Sequence, residues 1–266
     1  MKITAEMVKH LRDKTGAGMM ECKRALEGAN GDAEVAIDNL RKSGILKAEK
    51  KASRATKEGK IATVIADGKA AMVEILCETD FVCKTDKFQD FVKSVSEKAL
   101  TIDADGSISE ELNEQEKENL TGMIAIIGEN MQIRRAINWK LTGKAGSYIH
   151  GGGRIGVMVE VENLDDEAVF SDLCMHIAAF NPTYVSEDGI SEDIVKHERE
   201  IAAAQLEGKP ANIIEKIIDG KISKWFSEVC LLNQPWIRDD KSTFKKQFPN
   251  AKIKRFLRWE VGEELA

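Results

Sequence analysis

The sequence predicts an α+β protein with a small helical domain at its N-terminus and a core of two related subdomains. Over residues 1–44, apolar residues recur every three or four positions, which is the spacing of an amphipathic helix. From residue 60 the spacing becomes two, as in a strand, and a pattern of two strands followed by a helix occurs twice. Each subdomain is therefore expected to combine an antiparallel sheet with packed helices.

The first 44 residues are expected to form three short helices. Thr4 and Asp32 carry side chains that are preferred at helix N-caps, and glycines are frequent just after helix C-termini. The glycines expected to end the helices are Gly16 for the first, Gly28 and Gly31 for the second, and Gly44 for the third. The sequence therefore predicts a helical domain over residues 1–44.

A basic segment follows over residues 45–59, and its apolar residues show little periodicity. We interpret this segment as a linker that forms a hinge or a frayed helix. A basic run can bind RNA, but the whole chain has 45 acidic and 39 basic residues and a net charge of −6. This charge balance disfavours direct nucleic-acid binding and favours a solvated linker.

The first core subdomain is predicted over residues 60–143. The runs KIATVIA and KAAMVEILCE flank Asp67 and Gly68, a pair typical of a tight hairpin turn. A helix is expected next, with Phe88, Phe91, Val92, Val95 and Ala99 on one face. A second helix that ends near AIIGEN and the strand MQIRRAINWKL complete this subdomain.

The second core subdomain is predicted over residues 144–266 and repeats the pattern weakly. AMVEI (71–75) matches VMVEV (157–161), and Phe88 matches Phe170 near the start of the next helix. Between strand and helix, the first copy has CETDFVCKT and the second has the shorter ENLDDE. Residues 191–226 predict a protruding helical hairpin with a Lys209-Pro210 corner, and IKRFLRWEV predicts a last strand that completes the second sheet.

Several function classes are disfavoured by the sequence. The glycines at 151, 153 and 156 match GxGxxG but lead into a strand rather than a helix, and no Walker-type phosphate loop occurs. The five widely spaced cysteines fit reduced thiols, and the four histidines do not form a metal-site pattern. We therefore expect no cofactor, no metal site and no membrane span.

The segment Thr79-Asp80-Phe81-Val82 lies on the predicted loop tip between strand and helix, where functional residues tend to concentrate. From the residues alone, Phe81 either packs in the core or binds a partner, and Asp80 is a possible helix cap. A second alternative is a hydrolase that pairs Cys77, Cys83 or Asp80 with His150. A third is a passive scaffold that joins two proteins.

Two long motifs resemble the signature segments of the elongation factor Ts family. They are TGAGMMECKRAL (15–26) and ETDFV (78–82), and the order of IGEN (127–130), SYIHGG (147–152), helical hairpin and terminal strand also agrees. The resemblance implies a nucleotide exchange factor that is not an enzyme and that binds the GTPase elongation factor Tu and promotes GDP release. It also implies that the N-terminal domain is similar to a ubiquitin-associated (UBA) domain.

The resemblance also implies roles for particular residues. Met19, Met20 and Lys23 would dock on the GTPase domain, and Asp80 and Phe81 would disturb magnesium and phosphate binding at its nucleotide site. The other expected contact residues are Thr79, Val82, Ile127, Gly128, His150 and, at a more distant contact, Ile237. A homodimer through the helical hairpin is a further expectation. The N-terminus has no presequence pattern, so the expected location is the cytoplasm.

Overall fold

The computed structural model describes residues 2–204, 206 and 211–265. It contains helices and antiparallel strands, which confirms the predicted α+β class. The chain divides into two compact units. Unit 1 comprises Met1–Ala62, Ala71–Trp139 and Val261–Ala266, and unit 2 comprises Thr63–Ala70 and Lys140–Glu260.

The N-terminal part of unit 1 consists of three helices: α1 (Ala5–Thr15), α2 (Met19–Gly28) and α3 (Ala33–Lys51). The predicted N-caps are confirmed, because the side chain of Thr4 accepts a hydrogen bond from the Met7 amide and that of Asp32 accepts from the Glu34 and Val35 amides. Gly16 ends α1 with a φ of 66°, a left-handed conformation that favours glycine. Val8, Leu11, Cys22, Leu26, Ala29 and Ala36 form the buried core.

The predicted end of the third helix at Gly44 is wrong. Helix α3 continues through Gly44 to Lys51, so the first part of the basic segment is helical. Gly44 is buried, and a Cβ atom at this position would lie 3.4 Å from the Cβ of Ala125. Gly44 therefore lies at a contact between α3 and the helix that contains Ala125, and the spacing of glycines along the chain does not distinguish such a position from a helix end.

The middle of the chain carries the first sheet and its helices. The elements are β1 (Glu58–Ala66), β2 (Lys69–Cys77), α4 (Asp80–Cys83), α5 (Asp86–Thr101), β3 (Gly106–Ser107), α6 (Ser109–Ile127) and β4 (Met131–Lys140). The strand order is β1-β2-β4-β3. Asp67 and Gly68 have φ values of 52° and 71°, as the predicted hairpin turn requires. Helix α6 packs against both α3 and α5.

Unit 2 carries the second sheet. Its main elements are β5 (Lys144–His150), β6 (Ile155–Glu162), α7 (Glu167–Phe180), α8 (Glu192–Ala204), α9 (Ala211–Val229), β7 (Pro235–Trp236), β8 (Asp239–Thr243), α10 (Phe244–Gln247) and β9 (Lys252–Glu260). The strand order β5-β6-β9 confirms that the terminal strand completes this sheet. The sequence did not predict the small layer formed by β7, β8 and α10. Trp236 and Phe244 of this layer belong to the hydrophobic core of unit 2.

The predicted helical hairpin corresponds to α8 and α9, which pack through Ala202, Leu206, Ile218 and Ile222. Its predicted Lys209-Pro210 corner lies outside the described residues. Among the helices that the structure describes, none is both long and apolar enough to cross a membrane.

Candidate partner-binding site

The segment between β2 and α5 forms a short helical turn, α4, rather than the loop tip that the sequence suggested. Thr79 precedes this turn in an extended conformation, and the turn comprises Asp80–Cys83. Val82 and Cys83 face inward and are each 8% exposed, whereas Phe81 is 76% exposed. Because the inward side of the turn is occupied by these two smaller side chains, the phenylalanine ring extends into solvent. The alternative in which Phe81 packs in the core is therefore wrong.

A carboxylate fixes the start of the turn. Helix α6 ends at Ile127 and is followed by Gly128, whose left-handed φ of 87° turns the chain before Glu129. One Glu129 oxygen accepts a hydrogen bond from the Thr79 amide at 3.0 Å, and the other accepts from the Thr79 hydroxyl at 2.7 Å. Hydrogen bonds to a carboxylate are stronger than those between neutral groups. Thr79 is therefore held at both of its donors.

A second set of bonds holds the residue before the turn. The Glu78 carboxylate accepts a hydrogen bond from the Asn130 amide at 2.6 Å and lies 3.4 Å from the Arg54 guanidinium. The buried Asn130 side chain donates to the Arg54 carbonyl oxygen at 2.8 Å. The segment IGEN therefore positions ETDFV through two neighbouring residues, Glu129 and Asn130.

Two thiols lie at the base of the turn. The sulfurs of Cys77 and Cys83 are 3.3 Å apart, and they lie 3.2 and 3.6 Å from the Thr79 carbonyl oxygen, to which each can donate. His150, the proposed base of a Cys-His pair, has its Nδ1 atom 3.0 Å from the Tyr148 hydroxyl. The hydrogen bonds described for these groups therefore give a Cys-His hydrolase no geometric support.

Lys84 covers the exposed end of the turn. Its Nζ atom lies 2.7 Å from the Asp80 carboxylate and 5.5 Å from the centroid of the Phe81 ring. The hydrogen bond from Lys84 lowers the pKa of Asp80, and the same bond raises the pKa of Lys84. The turn therefore presents an ionised carboxylate and an aromatic ring side by side, both in contact with one cation.

The three expected docking residues lie near the start of α2 and are exposed. Met19 and Met20 are 48% and 62% exposed, and the side chain of Lys23 is 50% exposed. The loop before them packs within unit 1, because a Cβ at Gly16 would lie 3.2 Å from Cδ1 of Ile126. The docking residues and the α4 turn therefore belong to the same compact unit.

The remaining predicted contact residues have different environments. Ile127 is half-buried at the end of α6, and the adjacent Gly128 is exposed. His150 is exposed at the end of β5, in unit 2. Ile237 is half-buried and packs against the hydrophobic core of unit 2.

Glu78, Glu129 and Asn130 position the site, and the sequence reading did not identify them as doing so. The sequence did contain a signal for two of these positions, because Gly128 is a residue type that often ends a helix and two polar residues follow it directly. Polar residues at such positions often form hydrogen bonds with a neighbouring segment. The partner segment lies about fifty residues earlier in the chain, at a separation of 50 between Thr79 and Glu129. A search of the described residues finds no cluster of His, Cys, Asp and Glu side chains that could hold a metal ion.

An exposed aromatic ring on a hydrogen-bonded turn, with an exposed methionine pair on the same unit, is typical of surfaces that bind another protein. The fold thus defines a class: α+β proteins of two compact units, here with the exposed side chains of Phe81, Met19 and Met20 on the same unit. Comparison with known sequences identifies the family. The sequence model of the family described as "Elongation factor TS" matches residues 78–263.

Relatives named elongation factor Ts match almost the whole chain. The protein from Thioalkalivibrio sulfidiphilus is 45% identical over 275 residues, which cover 99% of this chain and 93% of the relative. The protein from Halothermothrix orenii is 42% identical over 280 residues, with the same two coverages of 99% and 93%. The chain belongs to the elongation factor Ts family, a family of translation elongation factors.

Proposed function

We propose that this protein is a guanine nucleotide exchange factor that binds elongation factor Tu in its GDP form and promotes GDP release during translation elongation. The observation that carries this proposal is the exposure of Phe81, which is 76% exposed on a turn whose first residue is held by Glu129. An exposed aromatic side chain on a turn that is held in place is suited to a contact with another protein, since aromatic residues are enriched at such interfaces. The partner follows from membership in the elongation factor Ts family.

Exchange requires no acid, base or nucleophile of the factor, so we assign no catalytic residue and no cofactor. The factor binds the nucleotide-free GTPase more tightly than the GDP form, and by linkage GDP weakens the binding of the factor to the same degree. Phe81 acts as a wedge that stabilises the nucleotide-free conformation. The rigid attachment of the turn supports this role, because a flexible wedge would lose conformational entropy on binding.

Asp80 supplies the electrostatic part of the mechanism. Its carboxylate is ionised at neutral pH, since the ordinary pKa of 3.8 is lowered further by the hydrogen bond from Lys84. A negative charge close to a magnesium ion and a diphosphate changes the balance of charge that holds both ligands. We therefore propose that Asp80 perturbs the magnesium and phosphate site while Phe81 holds the altered conformation.

Docking is assigned to the N-terminal domain over residues 1–44, which we propose to be similar to a UBA domain. Its exposed Met19, Met20 and Lys23 supply two apolar side chains and one cation. Methionine suits such a surface because its unbranched side chain adapts to the partner. Thr79, Val82, Ile127, Gly128, His150 and Ile237 complete the proposed set of contact residues.

The other parts of the proposal concern organisation. We propose a linker at residues 45–59, core subdomains at residues 60–143 and 144–266, and a location in the cytoplasm without direct binding to nucleic acid. A homodimer through α8 and α9 is supported by exposed apolar residues on both helices, among them Ile194, Ile201 and Ile213. Sedimentation at increasing concentration tests this dimer, and a monomer at every concentration would contradict it.

The experiment that tests the function is stopped-flow release of a fluorescent GDP from purified elongation factor Tu. The wild-type chain should accelerate release in a concentration-dependent manner. Phe81→Ala should lower the maximal rate by about tenfold or more, since it removes the wedge. Met20→Ala should instead raise the concentration needed for half-maximal acceleration, since it weakens docking.

Phe180→Ala is the matched control, because Phe180 is another exposed phenylalanine, 44% exposed and distant in sequence from the turn. It should leave the maximal rate within about twofold of the wild type. Equal maximal rates for wild type and Phe81→Ala would refute the wedge. Binding without any acceleration would identify a passive scaffold, and hydrolytic activity without elongation factor Tu would identify an enzyme.

A further inference from the structure

We propose that Cys77 and Cys83 form a reversible disulfide that displaces the α4 turn and thereby slows nucleotide exchange. The effect on exchange rests on the proposed function, whereas the disulfide itself does not. Neither thiol has a role in the exchange mechanism described above. The thiol pair would make the proposed exchange site sensitive to the redox state of the cell.

The geometry of the pair carries the inference. The two sulfurs are 3.3 Å apart, so they must approach by about 1.3 Å to reach the bond length of a disulfide. Cys77 ends β2 and Cys83 ends α4, and six positions separate them in sequence. A short approach between two side chains at the ends of neighbouring elements requires no rearrangement of the sheet.

Cys83 also differs from Cys174 and Cys230 in reactivity. The hydrogen bond between the two thiols lowers the pKa of Cys83, against the opposing effect of burial, and raises the pKa of Cys77. Burial raises the pKa of Cys174 to about 12 and that of Cys230 to about 11. Because the thiolate is the reactive form, Cys83 is expected to react before Cys174 and Cys230.

A small-molecule disulfide such as oxidised glutathione is the oxidant. The Cys83 thiolate attacks one glutathione sulfur, the glutathione S–S bond breaks, and one glutathione thiolate leaves. Cys77 then loses its proton to solvent and its sulfur attacks Cys83, which forms the Cys77–Cys83 bond and releases the second glutathione thiolate. Two protein thiols are thus oxidised by two electrons, and the glutathione disulfide is reduced to two thiols.

The bond would act on the turn through Thr79 and Phe81. In the reduced protein the Thr79 carbonyl oxygen lies within reach of both thiols, and the disulfide removes both S–H donors. Cys77 belongs to a strand of the sheet, so most of the approach of about 1.3 Å must come from α4. Since a displacement of about 1 Å can reduce a geometry-dependent rate by as much as a hundredfold, we expect the oxidised protein to exchange about tenfold more slowly.

The experiment uses the full chain before and after equilibration with excess oxidised glutathione. Remaining thiols are alkylated, and the cross-linked peptides are mapped by mass spectrometry. Amide hydrogen exchange over residues 78–85 reports on the turn, and fluorescent GDP release from elongation factor Tu reports on the function. We expect a Cys77–Cys83 cross-link, altered hydrogen exchange, a release rate about tenfold lower, and full recovery after reduction with dithiothreitol.

Two variants give the comparison. Cys83→Ser removes one sulfur, so its release rate before and after oxidant should be equal. Cys174→Ala removes a buried thiol elsewhere and keeps the pair, so it should respond to the oxidant as the wild type does. For each variant, the GDP release rate after oxidant is compared with the rate of the same variant before oxidant. The result therefore does not depend on the rate that the reduced variant starts from.

The possible failures are distinguishable. Absence of the cross-link at equilibrium would overturn the proposal and leave two thiols that simply pack together. A cross-link with unchanged hydrogen exchange and unchanged release rate would overturn the effect on the turn. A reduced wild-type chain that does not accelerate release would refute the proposed exchange function, while the peptide map and hydrogen exchange would still decide the redox behaviour of the pair.

Discussion

The strand pair, helix and third strand of unit 1 resemble those of unit 2. In the first copy, the hairpin of β1 and β2, whose residues 63–70 belong to unit 2, is followed by α5, and β4 pairs with β2. In unit 2, the hairpin of β5 and β6 is followed by α7, and β9 pairs with β6. The matching segments AMVEI and VMVEV lie in β2 and β6, the central strand of each trio. The repeated pattern in the sequence therefore corresponds to a repeated topology.

The two central strands each bury a glutamate at the same position of the repeat. Glu74 in β2 is 0% exposed and contacts the guanidinium groups of Arg134 and Arg135 and the Gly262 amide. Glu160 in β6 is 1% exposed. Its carboxylate accepts hydrogen bonds from the Thr142 and Gly143 amides and from Arg255. The buried charge is conserved between the copies, but its partners are not.

The connections from strand to helix differ more. In unit 1 the connection contains α4, which exposes Phe81. In unit 2 the corresponding residues are 163–166, where Asn163 adopts a left-handed φ of 59° and Leu164 is buried. The comparison teaches that the two scaffolds share their internal structure, and that Asp80 and Phe81 lie where one copy carries extra chain.

The helices that follow the two hairpins, α5 and α7, also differ in which of their faces are buried by neighbouring elements. With Phe88 matched to Phe170, Ser94 of α5 corresponds to His176 of α7. Ser94 is exposed, whereas His176 is fully buried between the rings of Phe180 and Trp236. The β7, β8 and α10 layer therefore buries a face that remains in water in the first copy.

The largest expected effect of a scaffold substitution is that of Glu74→Ala. It removes the buried counter-charge of Arg134 and Arg135, whose side chains are 17% and 13% exposed, and among the described residues only Arg135 keeps an ion pair, with Glu263. Breaking a buried ion pair in this way costs about 3–5 kcal/mol in the free energy of unfolding. Urea denaturation measures the loss. Glu118→Ala, at an exposed position of α6, is the control and should change stability by less than about 0.5 kcal/mol. A loss below about 1 kcal/mol for Glu74→Ala would contradict this account.

A smaller loss in the free energy of unfolding, about 2 kcal/mol, is expected for Glu160→Ala in unit 2, because one arginine and two backbone amides lose a charged partner. The loss is smaller than for Glu74→Ala because water can reach Arg255. Burial raises the pKa of Glu160, but the two amides and Arg255 outweigh it, so the net pKa is lowered below its ordinary value of 4.5. The carboxylate therefore stabilises the fold above about pH 4.5, and this contribution is lost as the pH falls through the folded pKa.

The stability difference between wild type and Glu160→Ala should accordingly narrow in acid, which urea denaturation at several pH values can follow. The control is Asp165→Ala, since the Asp165 side chain is 87% exposed and its ion pair with Lys144 is a surface pair. If the stability difference between wild type and Glu160→Ala instead widens as the pH falls, a group other than Glu160 dominates the pH dependence of stability.

His176 should make unit 2 sensitive to mild acid. Burial lowers its pKa below the ordinary 6.5, although the hydrogen bond with Gln234 acts in the opposite direction. Since the unfolded chain binds the proton more readily, stability is greatest above pH 6.5 and falls as the pH drops through the folded pKa. Unfolding measured between about pH 7 and pH 5 should therefore show a slope that His176→Gln removes.

His197→Gln is the matched control, because it makes the same replacement at a histidine that is exposed on α8. The comparison uses the pH dependence of the free energy of unfolding rather than its absolute value. A packing defect in His176→Gln lowers stability at every pH, whereas the loss of a titrating group changes the slope. The same slope in both variants would exclude His176 as its source.

The smallest effect is expected at the connection itself. Lys84→Ala removes the cation that contacts Asp80 and Phe81, and exposed pairs of this kind contribute little to stability. Thermal unfolding should be unchanged, and GDP release should become up to about threefold faster because both residues are free to contact the partner. A tenfold slower release would show instead that Lys84 contributes to binding.

Local chemistry explains why much of the fold could be predicted. The two hydrophobic periods distinguish helices from strands, and the caps at Thr4 and Asp32 and the turn at Asp67-Gly68 depend on residues a few positions apart. The family motifs also located the α4 turn. These features need no knowledge of distant parts of the chain, which is why the amino-acid order alone was sufficient for them.

Other features depend on contacts between residues distant in sequence. Gly44 lies inside α3 and close to Ala125 of α6, and Thr79 is held by a carboxylate 50 residues later in the chain. Whether Phe81 was buried or exposed depended on which side chains filled the base of the turn. Hydrophobic periodicity shows which face of an element is buried, but not which other element packs against that face. These contacts, and the thiol pair beneath the turn, therefore depend on three-dimensional packing.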